Sequence, residues 1–147
     1  MQKVAPPSAA AALPPDPVLR KIRIPFIHRA SVLVAGRRED LFMVDLGLRG
    51  TFIERMEPVD PGEEIEIWFP LPGNEIPVHA RCRVAWWRPA DEARHPRALP
   101  PGLGVEFVEM SERDAARVRE RLAEYLRQHP RHRRFLRHPE ESEEEGA

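Results

Sequence analysis

The sequence predicts a mainly β protein, a six-stranded antiparallel β-barrel followed by one C-terminal α-helix and flanked by disordered tails. Three features of the 147-residue chain lead to this fold class. Apolar and polar residues alternate over several short stretches, as in strands with one buried face. Turn sequences containing Pro and Gly separate some of these stretches, which is typical of antiparallel hairpins. A helix-capping sequence follows the last stretch.

The strands are predicted from the period-two pattern. In the first, Ile24, Phe26 and Val32 share one face; the clearest alternation runs from Val78 to Trp87. Asp60-Pro61-Gly62 and Pro72-Gly73-Asn74 mark turns. The predicted strands cover residues 24–34, 39–47, 51–55, 63–71, 78–87 and 102–110. Because they follow in hairpin order, we expect them to close into a small barrel.

A single helix is predicted after the last strand. Ser111 can accept a hydrogen bond from the amide of Asp114, and acidic residues in this turn favour the positive end of a helix. The apolar residues then recur at helical spacing, at Val118, Leu122, Tyr125 and Leu126. The helix should stop before Pro130. It is too short to be stable alone, so its apolar face should pack on the barrel.

The two ends of the chain differ from the middle in composition. Residues 1–18 are rich in Ala and Pro and predict a disordered arm. Residues 19–128 form the predicted domain. Residues 129–147 begin basic and end acidic, and predict a charged disordered tail.

Composition excludes several classes of function. The net charge of −1 gives no electrostatic footprint for DNA or RNA. No stretch approaches the roughly 18 apolar residues of a membrane span. Prolines interrupt the N-terminal residues, so a secretory signal is not expected, and we predict a cytoplasmic protein. The lone Cys82 lies in an alternating apolar row and is predicted to be a small buried hydrophobe.

No catalytic constellation is evident, so we do not expect an enzyme. His28, Ser31 and Asp45 could be drawn as a triad, but the sequence around them lacks a nucleophile elbow. His129 and His132 have no acidic or cysteine partner at ligand spacing, so no metal site is predicted.

Two adjacent tryptophans fall on opposite faces of the fifth strand. We predict that Trp86 packs in the core. Trp87 either covers the barrel or stacks on a base or a protein partner.

The segment from Val44 to Ile53 is the most informative part of the chain. Asp45, Gly47 and Gly50 lie between two apolar, strand-like runs. Glycine suits positions of positive φ or close approach by a ligand, and a carboxylate on a polar surface accepts charge-assisted hydrogen bonds. The segment is therefore either a bulged turn or part of a binding site.

The order of motifs resembles the PilZ domain over roughly residues 19–126. The motifs are Asp45-x-x-x-x-Gly50, Pro61-Gly62-x-x-Ile65-x-Ile67, Arg83-Val84-Ala85-Trp86-Trp87-Arg88 and Gly102-x-Gly104-Val105-x-Phe107 followed by Ser111. The resemblance implies a six-stranded barrel and a bacterial signalling module, usually a receptor for cyclic di-GMP.

The resemblance also implies a ligand site in two parts. Asp45 and Gly50 match the family's Asp/Asn-x-Ser-x-x-Gly motif, with Gly47 where serine is usual. Arg23 matches the second arginine of the family's Arg-x-x-x-Arg motif, whose first arginine falls on Leu19. Arg20 and Lys21 lie close by. The candidate ligand-binding residues are Arg20, Arg23, Asp45, Gly47 and Gly50.

Two functions are compatible with this reading. The first is an effector that binds cyclic di-GMP and signals to a protein partner by ordering its N-terminal arm. The second is a degenerate PilZ-like adaptor that does not bind the nucleotide. Such an adaptor would act by protein–protein contacts in motility, pilus or polarity control.

Overall fold

Six antiparallel strands form a closed barrel in the order β1-β2-β3-β6-β5-β4, which confirms the predicted fold class. The computed structural model describes residues 17–89 and 100–131. The elements are α1 (Pro17–Lys21), β1 (Arg23–Val34), β2 (Arg37–Gly47), β3 (Gly50–Glu54), β4 (Glu64–Leu71), β5 (Asn74–Arg88), β6 (Gly102–Met110) and α2 (Glu112–Gln128).

Alternation along each strand places the apolar residues inside the barrel. In β4, Ile65, Ile67 and Phe69 are buried, while the residues between them face outward. The hairpin from β4 to β5 turns at Gly73, whose φ of 89° is a conformation that favours glycine. Cys82 is fully buried as predicted, and burial raises the pKa of its thiol.

The prediction that Trp86 packs in the core is wrong. The register between β5 and β6 shifts between Val84 and Trp86, which marks a bulge or irregularity. A bulge adds a residue to one strand and re-aims the side chains that follow it. Trp86 is consequently 44% exposed, whereas Trp87 packs against the core.

Helix α2 is capped and packed as the sequence predicts. Ser111 Oγ accepts a hydrogen bond of 3.1 Å from the Asp114 amide. Val118, Leu122 and Leu126 are buried, so this face of the helix belongs to the same core as the barrel. The burial of this face supplies the stability that an isolated helix of this length lacks.

A short helix precedes the barrel. α1 begins at Pro17, so residues 17 and 18 are helical although composition assigned them to the disordered arm. Leu19 and Ile22 are only 7% and 2% exposed and join the core. This tertiary burial orders the turn, and composition alone does not reveal it. Residues 1–16 of the predicted arm and 132–147 of the predicted tail lie outside the described residues.

Candidate functional site

Arg23 and Asp45 form an ion pair on the outside of the barrel. Arg23 Nη1 lies 3.0 Å from Asp45 Oδ1, and the two side chains are 46% and 31% exposed. Arg23 is opposite Gly47 in the ladder between β1 and β2, and Pro25 is opposite Asp45. The arginine therefore reaches diagonally along the ladder to the carboxylate.

Hydrogen bonds from β3 hold Asp45 in place. Its Oδ1 atom accepts a hydrogen bond of 2.8 Å from the Phe52 amide. Thr51, which is fully buried, donates its hydroxyl proton to the Asp45 carbonyl at 2.6 Å. These two bonds fix the position of the Asp45 main chain and the orientation of its carboxylate relative to β3.

Gly47 and Gly50 are required by close contacts between backbone segments. Among the described glycines, only Gly36, Gly62 and Gly73 have positive φ. A positive φ is therefore not the reason for glycine at positions 47 and 50. A Cβ atom at Gly47 would lie 3.2 Å from the carbonyl oxygen of Ile22. A Cβ atom at Gly50 would overlap the Val105 carbonyl oxygen.

Helix α1 carries a cation at Arg20 and an apolar side chain at Leu19. Arg20 is exposed, and no ion pair joins it to another described residue. Leu19, where the resemblance places the family's first arginine, is buried in the core. The structure therefore brings Arg23, Asp45, Gly47 and Gly50 together, with Arg20 on α1 three residues before the start of β1.

Arg49 is a cation that the motif comparison missed. It is exposed in the turn between Gly47 and Gly50, and it forms no ion pair with a described residue. Its carbonyl accepts a hydrogen bond of 2.8 Å from the Phe107 amide, which ties the turn to β6. The signal was present in the sequence, since this arginine falls inside the segment that carries the aspartate.

Trp86 extends the same outer surface. Asp45 is paired with Phe52, Phe52 with Gly104, and Gly104 with Trp86, so these residues form one row across four strands. The Trp86 and Phe52 rings stack with centroids 5.3 Å apart. At the usual strand spacing, Trp86 lies about 14 Å from Asp45 along the row. The row thus has a charged pair near one end and an exposed indole at the other.

A second ion pair connects β2 to the residue that follows β3. Arg55 binds Glu39 through two hydrogen bonds, of 3.1 Å from Nε and 2.7 Å from Nη2. These bonds lower the pKa of Glu39 and raise the pKa of Arg55. Because the Glu39 pKa is depressed in the folded state, its contribution to stability is present above the unfolded pKa. It is lost as the pH falls through the folded pKa.

The family follows from a comparison of the whole domain. The profile of the PilZ domain matches residues 20–128. The chain belongs to the PilZ domain family. The resemblance seen in the sequence is thereby confirmed.

Two solved structures resemble this PilZ domain. The Bacillus subtilis inhibitor of motility MotI/DgrA has a TM-score of 0.60 and 11% identity, with 74% of this chain covering 50% of that chain. The PilZ domain of Escherichia coli YcgR, solved with c-di-GMP, has a TM-score of 0.51 and 18% identity. In that alignment, 73% of this chain covers 92% of the YcgR chain. At these identities the likeness shows the fold. A search among curated proteins found no match.

No helix among residues 17–89 and 100–131 is long and apolar enough to cross a membrane. The same residues contain no group of three or more His, Cys, Asp or Glu side chains that could hold a metal ion.

Proposed function

We propose that this PilZ domain is a signalling effector that binds cyclic di-GMP on the surface formed by Arg23, Asp45 and the turn to Gly50. The observation that carries the proposal is the Arg23–Asp45 ion pair, held at the spacing of the family motif. It supplies one cation and one carboxylate, and Arg20 and Arg49 add positive charge nearby.

The chemistry of the ligand suits these groups. Cyclic di-GMP carries two phosphates and two guanines. A guanidinium can bind bidentately to a phosphate or to the O6/N7 edge of guanine, and a carboxylate can accept from the N–H groups on the other edge. Base stacking on an exposed aromatic ring contributes on the order of 1–3 kcal/mol, and Trp86 presents such a ring in the same row.

Signalling would run through the N-terminal arm. Residue 20 lies on α1, immediately after the arm, and Asp45 lies on the barrel. Leu19 and Ile22 already hold α1 on the barrel, so a ligand that bridges Arg20 to the turn after Asp45 would order the arm by giving the residues before α1 a surface to contact. The ordered arm would then form part of the surface that a protein partner recognises.

Calorimetry with purified full-length protein and cyclic di-GMP tests this proposal. We expect Arg23→Ala to weaken binding by roughly ten- to hundredfold, because one bidentate contact contributes about 1–3 kcal/mol. Arg81→Ala is the matched control, since Arg81 is also ion-paired on the outer face and is 45% exposed, against 46% for Arg23. Absence of heat with the unmodified protein at tens of micromolar would exclude the nucleotide.

The structure also gives support to the adaptor alternative. Leu19 points into the core, and the main chain at Ile22 passes close over Gly47. The family's first guanidinium and its serine hydroxyl are both missing, and one bidentate contact alone accounts for about 1–3 kcal/mol. A PilZ domain without these groups would act by protein contacts.

The Leu19→Arg variant tests whether the missing guanidinium can be restored at position 19. We expect this variant to lose about 2 kcal/mol in the free energy of unfolding, because a buried leucine side chain is replaced by a charge. Urea unfolding measures the loss, and Arg20→Ala at the exposed neighbouring position is the control. If Leu19→Arg is as stable as the unmodified protein and gains nucleotide binding, α1 can turn outward. The absence of a guanidinium at position 19 would then explain why the unmodified protein does not bind the nucleotide, as the adaptor hypothesis requires.

A further inference from the structure

The outer face of β1 and β2 carries two large apolar side chains. Phe42 is 42% exposed and Ile27 is 67% exposed, although both lie within strands of the barrel. Phe42 is paired with Arg29 across the ladder, whereas Ile27 lies where the register between β1 and β2 shifts, between Pro25 and His28. The regular part of the ladder therefore places Phe42 at the centre of this face, with Arg29 opposite it.

Two charged residues beside Phe42 have no ion pair within the described part of the chain. The Arg29 guanidinium lies 5.4 Å from the centroid of the Phe42 ring. Asp40 is exposed on β2, two residues before Phe42 and opposite Ser31. Arg38, the other arginine on this face, is engaged within the chain: it donates a hydrogen bond of 2.7 Å to Ser31 Oγ and lies over the Trp68 ring. The pair beside Phe42 is therefore available to an outside partner.

The arrangement of these residues is self-complementary. Arg29 and Asp40 lie on neighbouring strands one diagonal step apart, with Phe42 next to the midpoint between them. Consider a twofold axis that lies in the plane of this face and passes midway between Arg29 and Asp40. This axis places Arg29 of one subunit over Asp40 of the other. Phe42 then falls close to the axis, where it meets its own copy. In a twofold interface each cross-contact occurs twice, so both charges of both subunits are paired.

We propose that this face binds a second copy of the chain, with Phe42 near the twofold axis and Arg29 of one subunit paired with Asp40 of the other. The contact covers the outer side of a two-stranded segment and is small beside the standard interface of about 800 Å² per partner. The dimer should therefore be weak, with dissociation in the micromolar range or above. It leaves Arg23 and Asp45 outside the central contact, so it is independent of the proposed nucleotide site.

Sedimentation velocity on the full chain without nucleotide tests the apolar contact. The unmodified protein should move from monomer to dimer as its concentration rises through the micromolar range. Phe42→Asp should stay monomeric. Ile76→Asp is the matched control, because Ile76 is 50% exposed on β5, away from this face, and should dimerise normally. An unmodified protein that stays monomeric at every concentration would overturn the proposal and leave the face to a different partner.

A charge exchange tests the orientation of the two subunits. Arg29→Asp and Asp40→Arg should each weaken dimerisation severalfold, because each places like charges together twice in the interface. The double variant Arg29→Asp with Asp40→Arg should restore it. If the double variant is no better than either single one, these two residues do not pair across the interface.

Disulfide trapping gives an independent measure of where the twofold axis passes. Cys82 is buried, so a cysteine introduced on the surface is the accessible thiol. Under mild oxidation, Ser31→Cys, which keeps Phe42 and lies opposite Asp40 on the same face, should form a covalent dimer much faster than Ile76→Cys. Equal rates for the two variants would contradict a twofold axis near Phe42.

Discussion

Gly50→Ala is expected to lower the free energy of unfolding by about 3 kcal/mol or more, an effect in the range of severe single substitutions. The added methyl group would overlap the Val105 carbonyl oxygen and would lie 3.1 Å from Val105 C and 3.3 Å from Glu106 Cα. All three atoms belong to the backbone of β6, which is paired with β3 at this position. Neither strand can move aside without breaking that ladder. Urea unfolding followed by tryptophan fluorescence measures the loss.

Gly47→Ala is the control for this prediction. Its Cβ atom would meet the Ile22 carbonyl oxygen at 3.2 Å and the Arg23 side chain at 3.5 Å, which small shifts can relieve. A loss of about 1 kcal/mol is expected. Equal losses in the two variants would show that the β3–β6 contact is not what demands glycine. If they differ as expected, Gly50 is explained by strand packing, without any ligand.

Asp114→Ala should cost about 3–5 kcal/mol, the range for removing one partner of a buried charge pair. Asp114 is 4% exposed. Its Oδ2 atom accepts from the His79 amide and its Oδ1 atom accepts from Arg117 Nη1, each at 3.1 Å. Arg117 is itself 14% exposed, and its buried Nη2 atom has no hydrogen-bond partner among residues 17–89 and 100–131. Removing the carboxylate would leave this guanidinium unpaired and separate the start of α2 from β5.

Arg113→Ala provides the comparison, since Arg113 is 63% exposed and approaches Asp114 only to 3.8 Å. Exposed pairs of this kind contribute between zero and about 1 kcal/mol. Thermal unfolding followed by far-ultraviolet circular dichroism should separate the melting temperatures of the two variants by roughly 8–20 °C, at about 4 °C per kcal/mol. Similar melting temperatures would mean that the contacts of Asp114 do not hold α2 on the barrel.

The elements of this fold could be predicted because local pattern and tertiary packing agree. Alternation in β4 and the Ser111 cap of α2 each determine a local structure, and the barrel preserves both. The helical state of residues 17 and 18 could not be predicted in this way, since it depends on the burial of Leu19 in a core built by distant strands. Trp86 was assigned to the wrong face because a strict period of two does not allow for a shift in register.

The candidate site was only partly predictable for the same reason. The proximity of Arg23 to Asp45 was expected from the resemblance, and the two side chains form an ion pair on the outside of the barrel. The aromatic end of the row was not expected, because Trp86 reaches it only through the pairings of Phe52 and Gly104. Asp114 was predicted as part of a helix start, whereas its bond to β5 depends on contacts 35 residues apart in sequence.

The barrel is closed by an uneven set of ladders. β1 is paired with β2 at ten positions, but β1 with β4 and β2 with β3 are paired at only three positions each. Local opening requires least free energy where few hydrogen bonds and contacts must be broken. The seams between β1 and β4 and between β2 and β3 are therefore where the barrel should open first. These two seams flank the hairpin of β1 and β2 that carries Arg23 and Asp45, so this hairpin can shift while its own ladder stays intact.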